Sequence, residues 1–215
     1  MNTLDPHAAQ PILRAGTPLD RAAGAIILLH GRGGSAEDIL TLGEALADDR
    51  FAIIAPQAAG HTWYPNSFLA PRRQNEPYLS SALSKVEEVL ALITGAGIPI
   101  DRIAIAGFSQ GACLATEFVG RHSQRYAALL AYTGGLIGPL DEPITLAGNL
   151  DGTPALFSSG DPDPHVPWQR VQQSADLFAK IGAQVFAERH PGRPHTILAS
   201  EVRQGKELLS AVPTL

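Results

Sequence analysis

Three short segments of this chain carry residue types that do chemistry when they are brought together. Gly107-Phe108-Ser109-Gln110-Gly111 sets a serine between two glycines, and Gly160-Asp161-Pro162-Asp163-Pro164-His165-Val166-Pro167 supplies two carboxylates on a proline-stiffened stretch. His190-Pro191-Gly192-Arg193-Pro194-His195 supplies two imidazoles further on. A serine hydroxyl is a weak nucleophile until a neighbouring base takes its proton, and a third group must orient that base. Where such groups sit on successive strand-to-helix loops of a parallel sheet, they follow in the order serine, acid, histidine. The chemistry expected is acyl transfer to Ser109.

Each partner has competitors. Asp163 is the expected acid. Asp161 directly follows a strand and Gly160, where an aspartate stabilises the turn through its own backbone. Asp161, Asp163 and His165 alternate as metal ligands do, but two prolines break the spacing and no other ligand cluster accompanies them, so no metal is expected. The chain has seven histidines. His7 is in the N-terminal tail, His61 in a long loop, His122 after a helix end, and His165 too near the acid. His30, at a strand end before glycines, is read as ordering its loop, and His190 as ending a strand. His195 remains as the base.

Attack on an ester carbonyl creates a negative oxygen that preorganised backbone donors stabilise. The Gln110 N–H, next after the nucleophile, is one expected donor. The Arg32 N–H in His30-Gly31-Arg32-Gly33-Gly34 is the other, since that loop follows the first buried strand. The glycine pattern there fits neither dinucleotide nor P-loop phosphate binding. The Arg32 side chain is read as solvent-facing, with contact to an anionic substrate as the alternative.

For substrate binding, the candidates are Trp63, Tyr64, Phe68, Leu136 and Val166. The aromatic cluster in the long loop is readable both as the wall of an acyl pocket and as a satellite core under the loop. Cys113 lies one helical turn beyond Ser109 and reads as a small core residue.

These groups need elements to hold them. Ala25-Ile-Ile-Leu-Leu29 is a continuous apolar run, the pattern of a strand buried on both faces. Further strands are expected at Phe51 to Ala55, Arg102 to Ala106, Ala127 to Tyr132, Pro154 to Ser158 and Gln184 to Glu188. Helices are expected from Ser35, over Leu79 to Ile93, Gln110 to about Gly120, Trp168 to Ile181, and Thr196 to Val212. Ser35-x-x-Asp38 resembles a capping box. The stretch from Gln57 to about Pro77 reads as irregular, and the segment before Gly24 as an antiparallel edge hairpin. Strands alternating with helices predict an α/β fold with a mostly parallel sheet covered on both faces. The stretch from Gly135 to Pro154 is too short for a large cap domain. One domain over residues 1–215, with its core at about 24–212, is expected.

The turn at Ser109 is sharp enough to strain its backbone. Gly107 and Gly111 remove side chains that would collide across it, and the helix N-terminus behind it favours developing negative charge.

Composition narrows the function classes. The 215 residues are 45% hydrophobic with a net charge of −5 and no cluster of Lys and Arg, which argues against nucleic acid. One cysteine excludes an intrachain disulfide. The polar start, Met1 to Gln10, has no signal-peptide pattern, and no apolar run is long enough for a stable membrane insertion. A cytoplasmic protein, monomer or homodimer, acting on a small-molecule ester is the expectation.

His-Gly-x-Gly, Gly-Phe-Ser-Gln-Gly, Gly-Asp-x-Asp-x-x-Val-Pro and His-x-Ile, in this order over about residues 24 to 210, resemble the phospholipase/carboxylesterase family. That family includes bacterial carboxylesterases and acyl-protein thioesterases. The resemblance implies an α/β-hydrolase fold with a sheet of seven or eight strands, no cofactor, and the triad Ser109–Asp163–His195. Gly34 stands where the thioesterase branch usually carries Asp, which favours the esterase side. Pro194 stands where members often carry Gly. The implied activity is hydrolysis of carboxylic esters; with no cap and one loop over the site, an open and fairly unselective pocket is expected, and with it esters of short to medium acyl chain. Thioesterase or lysophospholipase action on longer acyl groups is the alternative, and a catalytically silent ligand-binding protein is an alternative of another class.

Overall fold

Four apolar runs fold as strands buried along their whole length, or nearly so: β2 (Gly24–Leu29), β3 (Phe51–Pro56), β4 (Ile103–Phe108) and β5 (Ala128–Tyr132). The computed structural model describes residues 5–212. The first four residues of the polar start, and the last three of the expected domain, lie outside that range.

With β1 (Ile12–Gly16), β6 (Pro154–Asp161) and β7 (Gln184–Pro191), the runs form a seven-stranded sheet in the order β1-β3-β2-β4-β5-β6-β7. Every pairing is parallel except that of β1 with β3. The expected edge strand before Gly24 exists, but not as a hairpin. Both edges of β2 are taken by parallel neighbours, so β1 pairs with the outer edge of β3, Ile12 opposite Pro56.

Side chains alternate across this sheet and fill two cores. Ile27, Leu29, Ile54 and Ile105 face helices α2 (Tyr78–Gly95), α3 (Gln110–Arg121) and α4 (Trp168–Lys180). Ile26, Leu28, Ile53 and Ala106 face α1 (Ala36–Leu46) and α5 (Ala199–Leu209). At the start of α1 the Ser35 hydroxyl accepts the Asp38 N–H at 3.1 Å, as the capping pattern predicts. This is the α/β-hydrolase architecture.

Several boundaries differ from the sequence reading: β6 extends to Asp161 and β7 to Pro191, beyond the expected ends at Ser158 and Glu188, and the final helix stops at Leu209 rather than Val212. The final helix begins at Ala199, not Thr196, because the Thr196 N–H turns back onto the Pro194 carbonyl at 2.8 Å. His195 therefore lies on an irregular segment, clear of the helix. The 57–77 stretch also contains two short 3-10 turns, Ala59–His61 and Arg72–Asn75.

The chain passes from β2 outward to β3, then crosses back to β4 on the other side of β2. The loops leaving β2 and β4 therefore diverge at neighbouring strand ends, with Leu29 opposite Gly107. Such a switch point opens a crevice at the carboxyl ends of the strands, where ligands of open α/β sheets bind.

Candidate active site

Ser109 sits between β4 and α3 with φ 55° and ψ −118°, a region that a non-glycine residue occupies only when its surroundings force it. The two flanking glycines show what does the forcing. A Cβ on Gly107 would come within 3.0 Å of the backbone of Gly111 and Ala112. A Cβ on Gly111 would come equally close to the carbonyl groups of Leu29 and His30. The elbow is thus pressed against the end of β2, and Ser109 is anchored by its own N–H to the Tyr132 carbonyl at 3.0 Å.

The loops after β6 and β7 come to the same place. His195 Nε2 is 2.9 Å from Ser109 Oγ, and His195 Nδ1 is 2.8 Å from Asp163 Oδ2. The second oxygen of Asp163 accepts the N–H groups of His165 and Val166, each at 2.9 Å. Burial pushes the Asp163 carboxyl up, but the hydrogen bonds from the His195 ring and these two N–H groups outweigh it and hold it below the ordinary carboxylate value. The ring of His195 packs against both Phe108 and His165, each with its centroid 5.0 Å away. Asp161 is elsewhere, paired with Arg189. His190 lies in β7, bonded to the Ser158 hydroxyl at 2.9 Å.

Both residues expected to supply backbone donors stand at the cleft. In the loop after β2, the Gly33 N–H is taken by the His61 carbonyl at 2.8 Å and the Gly34 N–H by the Gly31 carbonyl at 3.1 Å. The N–H groups of Arg32 and Gln110 donate to no protein acceptor among the described residues, and both residues line the cleft that holds Ser109 and His195. For Gln110 this follows from its place as the first residue of α3, where helical N–H groups have no intrahelical partner.

The cleft has a volume of about 510 Å³. Of the expected substrate-binding residues, Tyr64, Phe68 and Val166 line it. Trp63 and Leu136 do not, and both are fully buried in the core. The Trp63 indole N–H donates to the His30 carbonyl at 2.8 Å, and its ring packs between His30 and His7. A residue with a large ring and one polar atom satisfies both needs under the loop rather than in the cleft. The aromatic cluster thus divides between the two readings, with Tyr64 and Phe68 on the wall and Trp63 in the core. Cys113 lines the floor, and burial pushes its thiol up to about 12, so it carries no thiolate near neutral pH.

The Arg32 side chain is exposed, as its sequence position suggested, but it is not loose. It donates to the carbonyls of Tyr64, Pro65 and Asn66 at 3.0, 2.9 and 2.7 Å. The Gln110 carboxamide accepts the Trp63 N–H at 2.9 Å and donates to the Tyr64 carbonyl at 2.8 Å. These side-chain anchors, and the supports Phe108 and His165, were not legible as such in the sequence. Their only signal is that they adjoin the motifs.

The sequence over residues 13–212 matches the profile of the family described as Phospholipase/Carboxylesterase. A phospholipase/carboxylesterase from Dyadobacter fermentans has a similar crystal structure, with a TM-score of 0.91 at 44% identity, covering 97% of this chain and 100% of that one. The acyl-protein thioesterase 1 of Cryptococcus neoformans is 23% identical over 90% of this chain and 94% of its own length. The Bacillus cereus carboxylesterase shares the fold at a TM-score of 0.71 and 18% identity, covering 95% of each chain.

Proposed function

The chain belongs to the phospholipase/carboxylesterase family of serine hydrolases, and on that premise we propose that it hydrolyses carboxylic esters of short to medium acyl chain through an acyl-enzyme on Ser109. The observation that carries this reading is the continuous hydrogen-bonded line from Ser109 Oγ through the His195 ring to Asp163, at 2.9 and 2.8 Å.

In this reading His195 Nε2 takes the proton of Ser109 as Oγ attacks the ester carbonyl. The C–O π bond opens and the electron pair moves onto oxygen, between the N–H groups of Arg32 and Gln110. Losing one such donor in a comparable site costs roughly 3–4 kcal/mol of barrier. Asp163 holds the ring with its Nδ1–H inward and balances the imidazolium. As the tetrahedral centre collapses, the bond to the leaving alkoxide breaks, and His195 returns the proton to that oxygen. Water then repeats the sequence on the acyl-enzyme, with His195 again the base, and releases the acid.

The preference for shorter acyl groups rests on the cleft. Its floor is closed by Cys113 and Val166, both buried, and its walls mix polar Arg32, Asn66 and Ser67 with apolar Tyr64 and Phe68. A long alkyl chain needs a continuous apolar channel. Hydrolysis of longer acyl groups, including thioesters, is the second reading, favoured by the thioesterase relatives.

Labelling with a fluorophosphonate probe tests the nucleophile. Wild type should label and Ser109→Ala should not; equal labelling removes Ser109 from the role. A p-nitrophenyl ester series tests the acyl preference. The optimum is expected at short to medium chains, and an optimum at long chains, or a preference for acyl thioesters, would favour the second reading.

A further inference from the structure

The segment that carries His195 is held at both ends by one buried carboxylate. Glu201, in the first turn of α5, is fully buried. Its Oε2 accepts the Leu198 N–H at 2.6 Å, on the C-terminal side of His195. Its Oε1 accepts the Ser158 hydroxyl at 2.5 Å and stands 3.6 Å from Nη2 of Arg193, on the N-terminal side of His195. Arg193 is itself buried and donates from Nη2 to the Thr133 hydroxyl at 2.7 Å.

Thr133 directly follows β5, and Ser158 lies within β6 opposite Tyr132, beside the elbow: the Thr133 N–H donates to the Ser158 carbonyl at 2.7 Å, and the preceding Tyr132 carbonyl accepts the Ser109 N–H. The carboxylate therefore ties the histidine segment to the backbone that fixes the nucleophile. We propose that Glu201, acting with Arg193, is the positioning residue that sets the His195 ring against Ser109; this rests on the reading of His195 as the base.

Three arguments support it. A buried ion pair is a poor way to gain stability, since two apolar residues of similar volume hold a helix as well or better. What an apolar pair lacks is direction, and here each carboxylate oxygen has its own donors. Second, His195 lies on irregular chain after β7, where no helix or strand ladder fixes its backbone. Third, Pro194 restricts the φ angle directly before His195 but donates no hydrogen bond, so the anchoring falls to Arg193 and Leu198 on either side. Glu201 touches neither Ser109 nor the cleft.

The test separates positioning from folding. Active sites of Glu201→Gln are counted with a stoichiometric fluorophosphonate, and kcat is expressed per titrated site on a p-nitrophenyl ester. A glutamine has one acceptor oxygen where two donors, the Leu198 N–H and the Ser158 hydroxyl, bind, and no charge to face Arg193, so the segment shifts. A fall in kcat per site on the order of 10- to 100-fold, with KM within about 3-fold of wild type, is expected from sub-ångström misplacement. Wild-type kcat per site together with a lowered melting temperature would overturn the proposal and leave Glu201 a purely structural residue. The double variant Arg193→Met/Glu201→Gln leaves no unpaired buried charge, so it keeps the test open where the single variant does not fold, and the same fall is expected. His195→Ala is measured in parallel. If it retains wild-type kcat, the assignment of the base fails, which is a separate result from a silent Glu201→Gln.

Discussion

The side chains of Arg32 and Gln110 meet on one atom: Arg32 Nη2 is 3.0 Å and Gln110 Nε2 2.8 Å from the carbonyl oxygen of Tyr64. The same two residues offer the backbone N–H groups proposed to hold the oxyanion. The cleft wall and the oxyanion site are therefore mechanically joined, since Tyr64 lines the cleft and its carbonyl is fixed from both sides.

Arg32→Ala keeps the backbone N–H and removes only the grip on residues 64–66. The expected outcome is a loss of kcat/KM on the order of 10-fold, since displacement of a substrate-positioning segment is costly. The unfolding midpoint should change little, because two of the three carbonyl contacts are exposed. Steady-state kinetics with urea unfolding checks this, and an unchanged kcat/KM would show that the wall stands without the guanidinium.

Gln110→Ala should behave differently. Its carboxamide is buried, and its loss strands the buried Trp63 N–H without its acceptor. A destabilisation of about 1–3 kcal/mol is expected for the orphaned group, alongside the kinetic loss. Thermal or urea unfolding reads it directly.

Asp163→Asn preserves one oxygen for the His165 and Val166 N–H groups and turns an amide toward His195 Nδ1. The ring is then driven to the tautomer with its proton on Nε2, where it no longer accepts from Ser109. A fall in kcat of about 10⁴-fold is expected by analogy with triads of this geometry, with the fold intact. A fall of less than about 10-fold would move the acid role away from Asp163.

Two glycines should respond in opposite directions. Gly111→Ala drives a Cβ into the Leu29 and His30 carbonyls, which are backbone and have nowhere to go. A loss above about 4 kcal/mol, or no soluble protein, is expected. Gly95, at the end of α2, has nothing within 4 Å of such a Cβ. Gly95→Ala should stabilise by roughly 0.4–1 kcal/mol, measured as a raised urea midpoint.

Acid should loosen the anchors beneath the cleft wall before it reaches the carboxylates. His7 and His30 each accept a backbone N–H, from Ala59 at 2.9 Å and Ala58 at 3.1 Å, so both rings are held neutral. Burial lowers both below the usual 6.5. Between that value and the lowered ones the unfolded chain binds more protons than the folded one. The stability these rings contribute is therefore present above pH 6.5 and lost as pH falls through the lowered values. Urea midpoints measured from pH 8 to pH 5 should decline in the lower half of that range, and His7→Gln should flatten the decline. A decline of the same size in that variant would rule out His7 as a source.

Much of this molecule is written locally. The unbroken apolar runs at Ala25–Leu29 and Phe51–Ala55 signal strands covered on both faces, because a strand with one wet face alternates. Gly107 and Gly111 flank a residue that must turn sharply, and that requirement is visible in the five-residue motif. The choice of Asp163 and His195 followed from chain order and from the distinct surroundings of Asp161 and His190. What these signals determined is the architecture, the reaction class and the candidate triad, since each depends on residue type and short-range spacing.

Tertiary structure decided what depends on direction. Trp63 and Tyr64 are adjacent aromatic residues, indistinguishable in sequence, yet the first seals the core between two imidazoles and the second lines the cleft. Arg32 reads as a surface cation and is in fact fastened to three carbonyls of a segment some thirty residues away. Nothing in the local sequence marks Glu201, and only the fold brings Ser158 and Arg193 to it. Hydrogen bonds between distant segments leave no periodicity in the chain, because each requires only one polar atom at one position. They exist only once the sheet has set the distances between its loops.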